Sequence, residues 1–354
     1  MGRLRMAVAG AGLIGRRHIE EIQKSASAEL TAVIDPAPAV AELAKEFGAP
    51  VYPSLADMFA AGRPDGVILA TPNQLHVQGG LECVEAGCRS SWRNRSATPS
   101  RARLGWWRPR RQGRAPADRT PPPAQSDHGT ARKVVRSGVL GPIVAVMGSA
   151  VFYKPDDYFE VGGGWRRRPG GGPILLNLTH ETNNLLSLVG DIVAVLAMVS
   201  NATRGFPVED TAAMVFRFAN GALGTFMLSD AAASARSWEQ TSQENKDYAS
   251  YDDEDAYVIA GTTCSLAIPT MRLKVFSSKR SWYEPFDTSS LDIDRSDPLA
   301  NQVEHFAAVI RGEAEPIVSG RDGLKTLRVT EAVTEAAKTG QIVDTGLGSP
   351  SRAT

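Results

Sequence analysis

Through the first ninety residues, short solid apolar runs alternate with stretches in which apolar residues return every three or four positions. Leu4 to Ala9 is a run of the first kind, and "LIGRRHIEEI" after it has the second spacing. Another run, "LTAVID", ends in Asp35, and a third covers Val67 to Ala70. Solid runs of this length suit strands buried on both faces, and the helical spacing between them suits crossovers of a parallel sheet.

Beyond Gly141 the pattern changes. A helix in "ARKVVRSGVLGP" is closed by Gly138 and Gly141, and strands are then expected in succession. They fall at Ile143 to Phe152, Ile192 to Ser200, either side of Asn220-Gly221, Ala256 to Ala260, Ser265 to Ile268 and Arg272 to Phe276. Asn-Gly between apolar runs is a strong hairpin signal. Helical spacing recurs at Ile174–Val189, Ala300–Arg311 and Leu324–Thr339, enough to cover one face of a sheet. The fold class expected is therefore α/β followed by α+β, the second domain a largely antiparallel open sheet with helices on one face. Its other face needs a cover, which predicts a homodimer or homotetramer packed sheet against sheet. The expected boundaries are 1–131, 132–345 and a tail from 346 to 354.

A length of 354 residues suits two domains, and 42% apolar with 22% charged residues suits a soluble globular chain. Cys83, Cys88 and Cys264 have neither paired nor metal-type spacing, so no metal is expected and a reducing compartment fits. No signal peptide and no bilayer-length apolar run is read, so the expected location is the cytoplasm, away from membranes. The formal net charge of zero argues against nucleic acid, but it hides one odd segment. From Arg89 to Arg132 the chain holds eleven Arg, no Lys, no Glu, and three of its six Trp. Setting aside those eleven arginines and the segment's two aspartates leaves 28 basic against 37 acidic residues.

The chemistry-bearing residues begin in the first turn. Gly10-Ala-Gly12-Leu13-Ile14-Gly15 follows a strand and opens a helix, the context in which G-x-G-x-x-G points to a dinucleotide. Gly10 permits the tight turn, Gly12 lets pyrophosphate approach the backbone, and Gly15 lets the helix pack on the strand. Asp35, twenty residues after Gly15, can accept hydrogen bonds from ribose hydroxyls and would repel a 2′-phosphate, favouring NAD over NADP. Thr71, Pro72, Asn73 and His76 follow a strand end, where ligands sit in open α/β sheets, although a loop histidine is as readily structural. In the second half, "GGGPILLNLTHETNN" places His180 on a helix with Asn177, Asn183 and Asn184 three or four residues away. A lone helical histidine is commonly a core residue; three asparagines beside it suit a polar cavity. "YKPDDYF" from Tyr153 is read as a substrate lid or a solvated turn, and "YDDEDAY" from Tyr251 as a charged surface loop.

"VAGAGLIGRRHIEEI", "ILATPNQLHVQGGLECVEAG", "GGGPILLNLTHE" and "GTTCSLAIP" resemble the Gfo/Idh/MocA oxidoreductases, over nearly the whole chain except the odd window. The resemblance implies hydride transfer between nicotinamide and a secondary alcohol or ketone carbon of a sugar, cyclic polyol or dihydrodiol. It implies that His180 contacts substrate, with Asn177 and Asn184 beside it. It also implies a strand after "EAG" that ends in Glu-Lys-Pro, its Lys the acid–base residue, where this chain has "CRSSWRNR". Two further departures are Leu176 and Asn183, at positions where many members carry Asp.

A frameshift accounts for the missing lysine. Read one base early, Ser90 to Ser96 can encode Val-Leu-Val-Glu-Lys-Pro-Leu, with Trp92 necessarily TGG. Read one base late, Pro116 to His128 permits Pro-Leu-Ile-Gly-His-His-Arg-Arg-His-Asn-Pro-Ile-Met, which resembles the strand and basic loop closing the family's first domain. The original frame resumes at about Arg132, so residues 89–131 are expected to be aberrant, irregular in structure, and to leave the first sheet one strand short. A genuine Arg/Pro-rich insertion is the alternative. The functional expectation is an NAD-dependent dehydrogenase, with a non-catalytic dinucleotide-binding sensor as the rival reading. As written, Lys154 and His180 are the remaining base candidates.

Overall fold

β1 (Leu4–Ala9), β2 (Ala28–Ile34), β3 (Val51–Tyr52), β4 (Gly66–Leu69) and β5 (Arg89–Trp92) pair in parallel in the order β3-β2-β1-β4-β5. The computed structural model describes residues 2–72, 75–92, 127–160, 163–244, 248–292 and 297–348. They fall into two compact units, the first made of residues 1–123 and 297–319, the second of 124–296 and 320–354. Between the strands of the first unit run α1 (Leu13–Lys24), α2 (Val40–Phe47), α3 (Leu55–Ala61) and α4 (His76–Glu85). Alternation along β1 sends Met6 and Val8 to a core with Ile19 and Ile22, and Ala7 and Ala9 to a second core with Met58 and Cys83. Both faces are buried, as the solid apolar runs require.

Three expectations are corrected, the second of them at the start of the other unit. The sheet has its fifth strand: Arg89–Trp92 pairs with Gly66–Leu69 although its residues are mostly polar. An edge strand needs only backbone hydrogen bonds to one neighbour, so composition is a weak guide to it. The irregular stretch expected from Arg89 to Arg132 is also helical from Asp127, while residues 93–126 lie outside the described ones. The third correction concerns α8 (Pro298–Arg311), expected on the second sheet. It packs instead in the first unit, with Val303, Phe306 and Ala307 against Met6, Val8 and Ile19. Gly66 permits this approach, since a Cβ there would lie 2.8 Å from the Phe306 ring.

In the second unit, α5 (Asp127–Arg136) leads into β6 (Ile143–Val151), followed by α6 (Thr179–Leu188), β7 (Ile192–Ser200), β8 (Thr211–Phe218) and β9 (Leu223–Ser229). After the short helix α7 (Trp238–Thr241) come β10 (Tyr257–Gly261), β11 (Cys264–Ile268), β12 (Arg272–Phe276) and β13 (Phe286–Ser290). The chain ends with α9 (Gly320–Thr339) and β14 (Val343–Asp344). The sheet order is β13-β12-β11-β10-β6-β9-β8-β7-β14, antiparallel except where β6 runs parallel to β9. The expected hairpin closes at Gly221, whose φ of +90° suits glycine, while Asn220 Oδ1 accepts the Ala222 N–H.

One face of this sheet buries Met214, Phe216, Phe218, Phe226 and Leu228 against Leu178 and Leu185 near α6 and Val329 and Val333 of α9. The other face shows a row of register partners, Met147, Thr225, Val215 and Leu196, and a second row of Met227, Ala213 and Met198. Met147, Leu196, Met198, Val215, Leu223 and Met227 are all exposed there, Met198 by 76%.

Candidate functional site

In the first unit the glycine turn is held at both ends. The Gly10 N–H donates to the Ile34 carbonyl at 2.7 Å, and its φ of +92° belongs to the region glycine tolerates. A Cβ on Gly10 would stand 2.7 Å from the Ala70 oxygen, and one on Gly15 would overlap the Gly10 carbonyl. Gly12 differs, because a Cβ there meets nothing within 4 Å. Its bareness is not demanded by protein packing, which fits a position where a phosphate comes close to the backbone. The first turn of α1 carries no acidic residue and no side-chain cap. Its leading N–H groups, around Leu13, Ile14 and Gly15, are therefore poised for an anion. Leu13 is 68% exposed at the mouth of this turn.

Asp35 sits at the same turn, just past β2. Its Oδ2 accepts the Ala11 N–H at 2.9 Å, and its Oδ1 accepts the Ala37 N–H at 2.9 Å. The carboxylate so braces the glycine loop and retains lone pairs for hydroxyl donors. After β4, the Thr71 hydroxyl is buried with no hydrogen-bond partner among the described residues. Pro72 is exposed, and Asn73 lies outside the described residues. His76 is buried, and its Nε2 donates to the Thr71 carbonyl at 2.7 Å, so its ring shapes the loop from within. Together Gly10–Gly15, Asp35 and Thr71 fit a dinucleotide: an open backbone cradle, a carboxylate and an orphaned hydroxyl.

The second unit holds His180. The helix expected over Ile174–Val189 is not uniform: Ile174–Leu178 is a π turn, and α6 begins only at Thr179. Such turns are common at functional sites, and they offset the three- and four-residue spacing counted from sequence. The turn is anchored by Glu209, whose Oε1 accepts the Ile174 N–H at 2.9 Å. Burial raises the Glu209 carboxyl above its ordinary range, against that N–H bond, which lowers it. Gly172, at φ +83°, leaves room for it, since a Cβ there would lie 2.6 Å from Glu209 Oε1.

His180 is half-buried on the first turn of α6. The asparagines around it take separate partners. Asn177 Oδ1 accepts from Lys154 Nζ at 2.7 Å, whereas Asn184 Nδ2 donates to the Tyr257 hydroxyl at 3.3 Å, within the core. Asn183 is half-buried on the same helix. Sequence reasoning gave no role to the residues behind Lys154. Its ammonium lies 3.6 Å from Asp230 Oδ2, and Arg204 Nε donates to Asp230 Oδ1 at 3.1 Å. Burial raises the Asp230 carboxyl, while Lys154 and Arg204 pull it down. Glu181, next to His180, points inward and is buried; burial, with Glu239 adding to it, raises its carboxyl well above the ordinary range. Its Oε2 has no hydrogen-bond partner among the described residues.

The chain matches two family models: "Oxidoreductase family, NAD-binding Rossmann fold" over residues 4–90, and "Oxidoreductase family, C-terminal alpha/beta domain" over residues 132–345. Among curated proteins it is 38% identical over 77 residues to the rhizopine catabolism protein MocA of Rhizobium meliloti, 22% of this chain and 24% of that one. It is 37% identical over 87 residues to an inositol 2-dehydrogenase of Corynebacterium glutamicum, 24% of this chain and 26% of that one. The matched stretch thus spans about a quarter of the length of these curated relatives. Among solved structures, the WlbA dehydrogenase of Bordetella pertussis, in complex with NADH and UDP-GlcNAcA, shares the fold with a TM-score of 0.71. That likeness is at 22% identity and covers 97% of this chain and 99% of that one.

Proposed function

The chain belongs to the Gfo/Idh/MocA oxidoreductase family and carries its NAD-binding Rossmann domain, and from that premise we propose an NAD-dependent dehydrogenase acting on a secondary alcohol or its ketone. The observation that carries the reading is the turn at Gly10–Gly15, with an open approach at Gly12 and a carboxylate, Asp35, bonded to the turn itself. Asp35 favours NAD over NADP by accepting ribose hydroxyls where a 2′-phosphate would meet like charge. The substrate class is a sugar, cyclic polyol or dihydrodiol; the inositol 2-dehydrogenase among the relatives supports the polyol choice. The bound nicotinamide would supply the hydride chemistry. On the protein's side, His180 orients the reacting hydroxyl or shares its proton, and Asn177 and Asn184 fix the helix around it.

A lysine base belongs in the window that follows β5. Residues 93–126 lie outside the described ones, and the two family matches stop at residue 90 and resume at 132, bracketing it. We attribute the window to frame slips in the coding sequence, with the Glu-Lys-Pro strand end restored by reading one base early. A dinucleotide-binding sensor without turnover is the second reading, favoured by the absence of any lysine between Lys45 and Lys133. The apolar outer face of the second sheet supports a homodimer or homotetramer, with small molecules as the other partners and the cytoplasm as the compartment. The two readings separate on His180→Ala in a chain with the window restored. A dehydrogenase loses turnover with unchanged NADH affinity, and a sensor has no turnover to lose.

A further inference from the structure

Burying an ammonium group costs several kcal/mol, and an apolar side chain of similar volume is often at least as stabilising. Lys154 is nevertheless buried, and its place is fixed by a relay of charges. Asp210 Oδ2 accepts the N–H groups of Thr203 and Arg204 at 3.0 and 2.9 Å. Arg204 in turn donates to the Lys154 carbonyl at 2.7 Å and to Asp230, which stands beside the ammonium. At the far end of this relay Nζ donates to Asn177, in the π turn just ahead of His180. Among the described residues that is the ammonium's one hydrogen bond, and with Asp230 Oδ2 at 3.6 Å on another side one of its three N–H groups is left for a ligand.

A second cation lies against the same aromatic ring. Lys154 Nζ lies 5.0 Å from the centroid of the Tyr158 ring, and Arg166 Cζ lies 4.5 Å from it. Arg166 is half-buried, between Gly164 and the glycine run that opens the π turn. Asp230 is engaged by Arg204 and Lys154, Glu209 accepts the Ile174 N–H, and Arg166 Nη1 donates to the Tyr158 carbonyl at 3.4 Å. Two cations held on one aromatic ring, beside an amide and ahead of the histidine, match a carboxylate better than a neutral hydroxyl.

We propose that Lys154, Arg166 and Asn177 form an anion subsite for a carboxylate of the substrate, so that the substrate is a hydroxy acid of the sugar or polyol class. This rests on the reading of the His180 helix as the substrate side of a dehydrogenase. The test is calorimetric titration of the full chain, saturated with NADH, with sodium gluconate and with sorbitol, its uncharged counterpart, at matched ionic strength. Gluconate should bind at least about tenfold more tightly, the scale of one charge-assisted hydrogen bond. Lys154→Met should erase the preference, Lys154→Arg should restore most of it, and NADH affinity should be the same in all three. Should Lys154→Met lose its cooperative melting, Arg166→Gln serves in its place, lowering gluconate affinity and leaving sorbitol unchanged. Equal binding of the two polyols, binding of neither, or a preference that survives these substitutions overturns the subsite. Turnover of neutral polyols with no gluconate binding defeats the subsite alone, whereas failure to bind NADH defeats the reading beneath it.

Discussion

Replacing Asp35 with alanine removes two charge-assisted hydrogen bonds of different worth. The Ala11 N–H, 2.9 Å from Oδ2, belongs to a residue only 6% exposed, so its donor is left without water or partner. The Ala37 N–H, 2.9 Å from Oδ1, is at an exposed residue and passes to solvent at little cost. Stability should therefore fall by about 1–3 kcal/mol, the penalty of one buried unsatisfied donor. Cofactor binding should lose a similar amount, about 1–3 kcal/mol, from the missing ribose acceptor, or roughly five- to 150-fold in NADH affinity. NADPH should lose less, because the like-charge clash with its 2′-phosphate disappears together with the acceptor. Parallel fluorescence titrations with NADH and NADPH give the ratio, and thermal melting gives the stability term separately. A lower melting temperature with an unchanged NADH-to-NADPH ratio would show Asp35 to be only a brace for the turn. NADPH binding as tightly as NADH in the unaltered protein would refute the assignment outright.

Glu181→Gln should stabilise the protein at alkaline pH. Burial raises this carboxyl, so its folded value exceeds its unfolded one, and its contribution is full below the ordinary carboxylate range and is lost as pH rises through the raised value. Urea midpoints at pH 5 and pH 8 should converge in the variant, and an unchanged slope of stability against pH counts against a neutral Glu181. On the outer sheet face, Val215→Lys puts a charge in the middle of the row Met147, Thr225, Val215 and Leu196. Sedimentation should show at least about a tenfold weaker assembly with an unchanged circular dichroism spectrum, from burial of one unpaired charge; assembly of equal strength would place the interface elsewhere.

The glycine turn, the carboxylate after β2 and the strand ending before Thr71 were legible because each depends on residues close together in sequence. The same holds for the β8–β9 hairpin, which Asn220 and Gly221 specify within four residues. The placement of α8 was not, since apolar spacing in Ala300–Arg311 defines a buried face but not the sheet that buries it. The π turn carries no sequence signal, and it separates Asn177 and Asn184 into different environments. The surroundings of Lys154, a base candidate from sequence, escaped for a similar reason: its partners lie 23, 50 and 76 positions away, and only the fold brings them together. β5 ran against its composition because the free edge of β4 set its pairing. Glu181 shows the limit of face counting, since its neighbour His180 is half-buried while it is fully enclosed.

The central claim is a dehydrogenase whose base was displaced with the window after β5. Its most direct test is NADH formation from NAD by two chains on one panel of cyclic polyols, sugars and their acids: the chain as written, and the chain with residues 90–131 returned to the alternative frames. The restored chain should turn over at least one member about 10²–10⁴ times faster, the usual contribution of a positioned general base, with both chains binding NADH equally. Equal turnover by the two chains would contradict the lysine-centred account and leave Lys154 or His180 as the base; no turnover by either would favour the sensor.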